Sequence, residues 1–285
     1  MKYVKSIKLT EGKIFSPLLK FTIPILLTLF LQTMYGAVDL LIVGQFGGAA
    51  DVSAVSTGSQ VMTTITVMIT GLVMGITILI GQKLGEGKSK EAGDVIGSGI
   101  SILIVIAVII TILVVSFASP ISTFMHAPKE AFDSTVTYIK ICSAGAVFIV
   151  SYNIIGGVFR GLGDSKTPLI TVGIACVTNI IGDLIFVGLF KMAAMGAALA
   201  TIMAQGISVI LCLGIIKKRG LPFEFSRKSI KFHKGITSKI IKYGAPISLQ
   251  DGLVHLSFLA IMIIGNSMGV IPSAGIGVAE NLLDL

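Results

Sequence analysis

Three acidic residues lie inside long apolar segments of this 285-residue chain: Asp39, Asp183 and Asp251. A carboxylate near the middle of a membrane-spanning helix costs about 3 kcal/mol on translocon-based scales, so such residues are rare and are functional candidates by default. Carboxylates near amide and hydroxyl oxygens can bind a hard cation or exchange protons. The neighbours of these three aspartates therefore decide which chemistry is available.

Asp39 belongs to a polar stripe in the first apolar segment. Thr28, Gln32, Tyr35 and Asp39 follow one another at i, i+4, i+7 and i+11, which places them on one face of a helix. Such a stripe is expected to face a bundle interior or a water-filled cavity. An equally weighted interpretation is that Asp39 is interfacial and ends its helix just before a glycine-rich turn.

Asp183 lies in the middle of the fifth segment, and Asn179 lies one turn before it on the same face. The sixth segment adds Thr201 and Gln205, again on one face. Hydrogen bonding between packed helices is the alternative role of such groups, and it suits Gln205 well. It suits a mid-membrane aspartate poorly, so the pattern favours a functional role for Asp183.

Asp251 and His255 form an i, i+4 pair in the seventh segment, below Pro246. A perturbed aspartate or histidine can titrate near neutral pH, which makes the pair a candidate proton site. A local hydrogen bond near the end of a helix explains the same spacing equally well, so the role of the pair stays open.

Composition identifies the class of protein that carries these residues. Hydrophobic types make up 54% of the chain and charged types 13%, about half the charged share of a soluble domain. The mean hydropathy is +0.96. These values exclude an ordinary soluble enzyme, a disordered chain and a nucleic-acid-binding module, and they predict an all-α polytopic membrane protein. The predicted spans are 18–43 (an uncleaved first helix), 53–82, 95–124, 141–159, 167–190, 192–216 and 243–271, with an eighth helix starting near Ser273.

The positive charges predict the orientation. Of the 22 Lys and Arg residues, only Lys129, Lys140 and Lys191 fall in one set of alternate loops, and the other 19 fall in the opposite set. The positive-inside rule then places the amino terminus in the cytoplasm. The basic segment 217–242 is interpreted as a cytoplasmic linker. The favoured explanation of its charge is the positive-inside rule, and the alternative is that 229–242 forms an amphipathic helix on anionic headgroups.

Span seven repeats span one. Lys20, Pro24 and Gly47 correspond to Lys242, Pro246 and Gly269 at a constant offset. The second copy begins six spans after the first and follows a basic linker, which indicates parallel repeats of the kind that is typical of transporters. The predicted organisation is a six-helix amino-terminal lobe over 1–216, a linker over 217–242, and the truncated start of a second lobe over 243–285.

Taken in order, the motifs resemble those of the multidrug and toxic compound extrusion (MATE) transporters. The resemblance covers the whole chain and rests on Pro24 and Asp39, Asn179 and Asp183, and on the segments 43–48, 81–87, 159–168 and 196–201. Each motif is moderately specific, whereas the complete ordered set is strongly so.

The resemblance implies twelve helices in two lobes, and secondary antiport of cationic or amphipathic drugs against Na⁺ or H⁺. It also implies a cation site made by Asp39, Asn179, Asp183 and Thr201, with Na⁺ as a possible ligand. Gln32, Tyr35 and Gln205 are the expected cavity residues. We expect no enzyme activity and no cofactor beyond the coupling ion. The expected partners are organic cations and the lipid bilayer, without nucleic acid. We expect the full-length protein to be a monomer in the cell membrane.

Two other functions fit parts of the pattern. A flippase for lipid-linked precursors would share the fold, but its cargo calls for a basic cavity, and the intramembrane charges identified here are all acidic. An intramembrane aspartyl hydrolase would need two facing carboxyl groups, for which Asp39 and Asp183 are candidates. A second apparent protease signature, Gly161-Leu162-Gly163-Asp164, is interpreted as a polar turn.

Overall fold

The computed structural model describes residues 15–221, 225 and 229–283, with side chains to residue 281. These residues form ten α-helices and no β-strand. The helices are α1 (Phe15–Phe46), α2 (Ala49–Gly85), α3 (Ser89–Ser116), α4 (Ala118–Phe124), α5 (Phe132–Ala144), α6 (Ala146–Gly161), α7 (Lys166–Asp183), α8 (Ala193–Arg219), α9 (Lys234–Ser267) and α10 (Val270–Leu283). The predicted cytoplasmic charges of Lys2, Lys5, Lys8, Lys13, Arg227 and Lys228 lie outside the described residues.

The expectation of an all-α membrane protein is confirmed. Within the described residues six helices are long and apolar enough to cross a bilayer, and the pair α5 and α6, bent by 52°, makes a possible seventh. The predicted third span is broken between α3 and α4. Pro120 explains the break, because its ring would collide with the carbonyl group of Ser116, where α3 ends. The predicted fourth span starts earlier than expected, at Phe132, and bends at Gly145.

Successive spans run antiparallel when α3 with α4, and α5 with α6, are each counted as one span, so each end of the bundle contains alternate connections. One end, called the basic end here, contains the α2–α3 and α6–α7 turns and the start of α9. At this end Arg219 hydrogen-bonds Thr167 at 3.2 Å, and Ser98 donates to the carbonyl of Lys231 at 3.3 Å. The opposite end contains the α1–α2, α7–α8 and α9–α10 turns.

The gap between α8 and α9 is shorter than the predicted linker over 217–242. Helix α8 continues to Arg219, and α9 begins at Lys234, so basic residues at both edges of that segment are helical. The proposed amphipathic helix over 229–242 therefore starts only at Lys234. Next to it, the His233 Nδ1 lies 3.2 Å from the Ser98 hydroxyl, which holds this segment against α3.

Helix α2 is the central element, and it packs against α3, α5, α6, α9 and α10. Its buried residues contribute to all three apolar clusters of the bundle, through side chains such as Val55, Ile76 and Val61. The outward faces carry large exposed apolar side chains, for example Leu26 and Phe30 on α1. Exposed apolar side chains of this kind are expected on helices that are surrounded by lipid rather than by water.

Helices α2 and α9 approach each other almost to backbone contact. A β-carbon on Gly71 would overlap the backbone of Ser248, and one on Gly75 would overlap the carbonyl of Ile240. On the facing helix, a β-carbon on Gly244 would lie 2.8 Å from the Leu72 Cα. Small residues permit this distance, and the resulting dispersion contacts are a main source of helix association in lipid. We call this contact the glycine seam.

A buried hydrogen-bond network joins the same helices at the opposite end. Asn266 is 2% exposed, donates to the Met125 carbonyl at 2.7 Å, and accepts from the Thr57 and Ser273 hydroxyls at 3.2 and 2.5 Å. Ser273 also lies 2.6 Å from the Ser53 hydroxyl. One asparagine side chain thus connects α2, α10 and the residue that follows α4.

Replacing Asn266 with leucine is expected to lower the free energy of unfolding by about 2 to 3 kcal/mol, because the Met125 carbonyl and the Thr57 hydroxyl lose this partner and the Ser273 hydroxyl keeps only Ser53. Ser267→Ala is the matched control, since that neighbouring residue is exposed. Unfolding of the purified protein in detergent, followed against temperature, measures the difference. Equal midpoints for the two variants would contradict the assignment.

Candidate cation site and cavity

A cavity of about 640 Å³ lies between the helices. Five of the seven predicted site residues line it: Gln32, Tyr35, Asp39, Thr201 and Gln205. A smaller cavity of about 20 Å³ adjoins it, and Asn179 lines this one together with Thr201. Asp183 lines neither cavity, but it is a neighbour of Asp39, which does. The structure therefore brings all seven predicted residues into one region.

The two predicted carboxyl groups are direct neighbours. Asp39 on α1 and Asp183 at the end of α7 are close enough to interact electrostatically. Asp183 is fully buried, and Asp39 is 6% exposed. The interpretation that Asp39 ends its helix is wrong, because α1 continues to Phe46 and the Asp39 side chain is buried in the bundle.

Several oxygens of this pair, and one of the nearby Asn179, are buried hydrogen-bond acceptors without a donor in the described structure. The Oδ1 of Asp39, both carboxyl oxygens of Asp183 and the Oδ1 of Asn179 have no hydrogen-bond donor among the described residues. The Asn179 amide nitrogen donates to the Thr201 hydroxyl at 3.5 Å. Four buried acceptors without donors call for a cation or added protons, because uncompensated buried carboxylates are costly.

Local sequence explains why each carboxyl group points inward. On α1 the stripe that ends at Asp39 faces α7 and the cavity, while the leucine-rich face is exposed. Directly after Asp183 the helix widens into a π-helical stretch, Leu184–Leu189. There the Phe190 amide donates to the carbonyl of Ile185, five residues earlier. Such π segments interrupt regular helices frequently at functional sites.

The arrangement suits a small hard cation. Carboxylate, amide and hydroxyl oxygens from α1, α7 and α8 converge, and all of these groups are hard ligands. The same two carboxyl groups can instead share protons, as paired buried aspartates do in other proteins. The addition of one positive charge at this point would reduce the electrostatic repulsion between the carboxylates of α1 and α7.

The opposite wall of the cavity is formed by α9 and α10. Asp251, His255, Glu280 and Asn281 all line it. The Nδ1 of His255 is buried and has no hydrogen-bond partner in the described structure. The local hydrogen bond considered for the Asp251–His255 pair is absent from the described residues, and both side chains face the cavity.

The contribution of α6 to the cavity was not predicted from the sequence. Tyr152, Asn153 and Arg160 line it, and Tyr152 accepts a hydrogen bond from the Gln32 amide at 2.9 Å. The expectation that all charges inside the bundle are acidic is wrong, because Arg160 borders the cavity instead of lying in the following turn. The spacing of Tyr152, Gly156 and Arg160 at i, i+4 and i+8 could have predicted that these residues share one face of α6.

Asp164 has a structural role. It lies at the basic end, where its carboxylate accepts from the Lys166 and Thr167 amides at 3.1 and 3.0 Å and from the Thr167 hydroxyl at 2.5 Å. These bonds satisfy free amides at the start of α7. Asp164 lines neither cavity, in agreement with the interpretation of this segment as a polar turn.

The chain is similar to known transporters over nearly its whole length. The MatE family model matches residues 24–185. The probable multidrug resistance protein YpnP of Bacillus subtilis is 29% identical over 280 residues, covering 98% of this chain and 62% of the relative. The probable multidrug resistance protein NorM of Thermotoga maritima is 26% identical over 289 residues, covering 93% and 61%. The chain thus spans about three fifths of the length of these relatives.

Solved structures show the same fold. An inward-facing multidrug resistance MATE family transporter matches with a TM-score of 0.82 at 23% identity, covering 87% of this chain and 57% of that one. An outward-facing one matches with a TM-score of 0.84 at 21% identity, covering 100% and 68%. The family resemblance read from the motifs is confirmed by the family model. The chain belongs to the MATE family, whose members are multi-span membrane transporters and not enzymes.

Proposed function

We propose that this chain is the amino-terminal part of a twelve-helix, two-lobe antiporter that exports cationic or amphipathic drugs in exchange for Na⁺ or H⁺. The observation that carries the proposal is the buried pair Asp39 and Asp183, with its donor-free oxygens beside a cavity large enough for a small organic molecule. The relatives named as multidrug resistance proteins support the cargo class.

The coupling ion binds at Asp39, Asn179, Asp183 and Thr201 in this proposal. Sodium would take the oxygens of the two carboxylates, the amide and the hydroxyl. Protons would neutralise the carboxyl groups directly. In both cases the positive charge removes the repulsion between two buried carboxylates, and this changes how α1 packs against α7.

Helix α1 is the moving element of the mechanism. Pro24 has no amide hydrogen, so the Lys20 carbonyl lacks its helical donor, and the Pro24 carbonyl accepts from the Thr28 hydroxyl at 2.7 Å. A proline in a spanning helix is a common bending point. Ion binding at Asp39 bends α1 there, the cavity changes shape on its Gln32 and Tyr35 face, and the drug is released.

The membrane arrangement follows from the charge distribution. The basic end of the bundle faces the cytoplasm, so the amino terminus is cytoplasmic and Asp39 is reached from the outside. Residues 1–216 form the first lobe, 217–242 the connection between lobes, and 243–285 the start of the second lobe. The complete protein works as a monomer in the cell membrane.

The proposal is tested with the full-length gene in cells loaded with ethidium, an organic cation. Expression is expected to lower ethidium accumulation, and Asp39→Asn is expected to restore accumulation to the level of cells without the gene. Asp133→Asn is the matched control, because that aspartate is exposed at the start of α5 and lines neither cavity. An ionophore that collapses only the sodium gradient, compared with one that collapses only the proton gradient, identifies the coupling ion.

Two results count against the proposal. If Asp39→Asn exports ethidium as well as the parent protein does, the site does not couple ion to drug. If collapsing either gradient, or both together, leaves export unchanged, the protein is not an ion-coupled antiporter.

A further inference from the structure

Residues 229–233, which precede α9, lie along the side of α3 rather than over its end. A β-carbon on Gly97 of α3 would overlap the carbonyl group of Ser229. With a rise of 1.5 Å per residue, Gly97 lies about 12 Å from the start of α3 at Ser89. The segment therefore packs with its backbone against α3, at a place where a side chain would leave no room for it. We call residues 229–233 the strap.

A buried serine next to that glycine binds the strap through its hydroxyl group. Ser98 is fully buried, donates to the Lys231 carbonyl at 3.3 Å and lies 3.2 Å from the His233 Nδ1. A hydroxyl group has one hydrogen, so both contacts are hydrogen bonds when the histidine ring carries a hydrogen on Nδ1. Detachment of the strap would remove both partners of a buried hydroxyl group, which is costly.

The strap is joined to α9 without an intervening loop. His233 directly precedes α9, and its carbonyl accepts from the Thr237 amide at 2.8 Å in the first turn of the helix. About two turns further along α9, the carbonyl of Ile240 lies against Gly75 of α2. The strap and the glycine seam therefore attach the same end of α9 to two helices of the first lobe.

Movement of α9 away from α2 at the basic end would strain the strap. The contact between Ser98 and His233 is already 3.2 Å long, so a further separation of about 0.5 Å ends it as a hydrogen bond. In a transporter built from two lobes, one side opens when the lobes separate at that side. The strap opposes that separation at the basic end.

We propose that the strap holds the cytoplasmic side of the protein closed, and that it detaches from α3 when α9 leaves α2. This inference rests on the proposed two-lobe organisation and orientation, and it adds a device that sets how often the cytoplasmic side opens. Gly97, Ser98 and the strap line neither cavity. The device therefore acts on the population of conformations without contact with drug or ion.

Two pairs of spin labels on the full-length protein test the inference, after replacement of its native cysteines. Labels at positions 90 and 231 report whether the strap lies on α3, and labels at positions 82 and 239 report the separation of α2 and α9. The native side chains at all four positions are exposed. Electron paramagnetic resonance gives the distance distributions in nanodiscs, without drug and without an ion gradient.

Gly97→Ala is expected to lengthen both distances. It should raise the ratio of long to short α2–α9 distances about tenfold or more, because the added methyl group excludes the Ser229 carbonyl. His233→Ala should raise the same ratio about threefold, since it removes one hydrogen bond to Ser98. This second variant is mild, because the His233 side chain does not cap α9.

Two matched controls should leave both distributions unchanged. Gly214→Ala adds a methyl group to a helix at a position where none of the described atoms lies within 4 Å of it. Lys234→Ala replaces the exposed residue that follows His233.

The inference is overturned if neither Gly97→Ala nor His233→Ala lengthens the α2–α9 distance, or if the strap leaves α3 while α9 stays on α2. The measurement is independent of transport. Loss of ethidium export with the expected changes in distance would reject the antiport proposal alone, and normal export with unchanged distances would reject only the strap.

Discussion

Replacing Asp183 with asparagine is expected to uncouple the full-length protein, reducing ion-driven drug uptake into proteoliposomes by roughly 5- to 150-fold, the usual range for coupling between two sites. Asparagine has nearly the same shape as aspartate but can neither take up a proton nor carry the charge that attracts sodium. Asp183 is fully buried against Asp39, so no nearby solvent can replace that charge.

The uncoupled variant should still exchange drug across the membrane. Asp183 lines neither cavity, and the drug-facing side chains Gln32 and Tyr35 remain in place. The decisive quantity is therefore the ratio of ion-driven uptake to equilibrium exchange of labelled drug, measured on the same vesicles. We expect this ratio to fall in Asp183→Asn and to stay constant in Asp133→Asn. If exchange and ion-driven uptake fall together, Asp183 supports the fold or the cavity and is not the coupling group.

Replacing Gly71 with alanine is expected to destabilise the protein by about 1 to 3 kcal/mol, despite the higher helix propensity of alanine. The added methyl group would overlap the Ser248 backbone, so it cannot be accommodated by a rotation of a side chain. Helices α2 and α9 must separate, which loses close packing along the whole glycine seam. Gly75→Ala should behave in the same way, because its new methyl group would meet the carbonyl of Ile240.

Gly214→Ala is the matched control for the seam. Gly214 also lies within a helix, α8, but a β-carbon there would meet nothing within 4 Å. Its replacement should stabilise the helix by up to about 1 kcal/mol. Thermal unfolding of the three variants in one detergent compares them directly. If Gly71→Ala melts with or above Gly214→Ala, the close approach of α2 and α9 does not contribute to stability.

Much of the architecture was predictable because it depends on local properties of the chain. Apolar length predicted the spans to within a few residues at most ends, and the exceptions have local causes, such as Pro120 and Gly145. Helical periodicity predicted that Gln32, Tyr35 and Asp39 share a face, and in the structure these three side chains line one cavity. A repeat every 3.6 residues is a property of a single helix and needs no knowledge of its neighbours.

The position of the Arg160 side chain was not predictable from the distribution of positive charge along the chain. Counting Lys and Arg by loop placed Arg160 with the turn that follows α6, because charge near the end of a span normally lies in water. The structure instead turns its side chain back over Gly156 into the cavity. Sequence position identifies the end of a helix, but the direction of a long side chain depends on what surrounds it.

The sequence by itself determined the class of protein, the approximate spans and the polar face of each helix, because each of these follows from the composition and periodicity of one segment. Only the tertiary structure decided that Asp39 meets Asp183, that Arg160 and Asp251 face one cavity, and that α2 and α9 touch through Gly71 and Gly75. Those relations join residues far apart in the chain. They depend on the rotation and spacing of packed helices, which the close packing of many small side chains sets together.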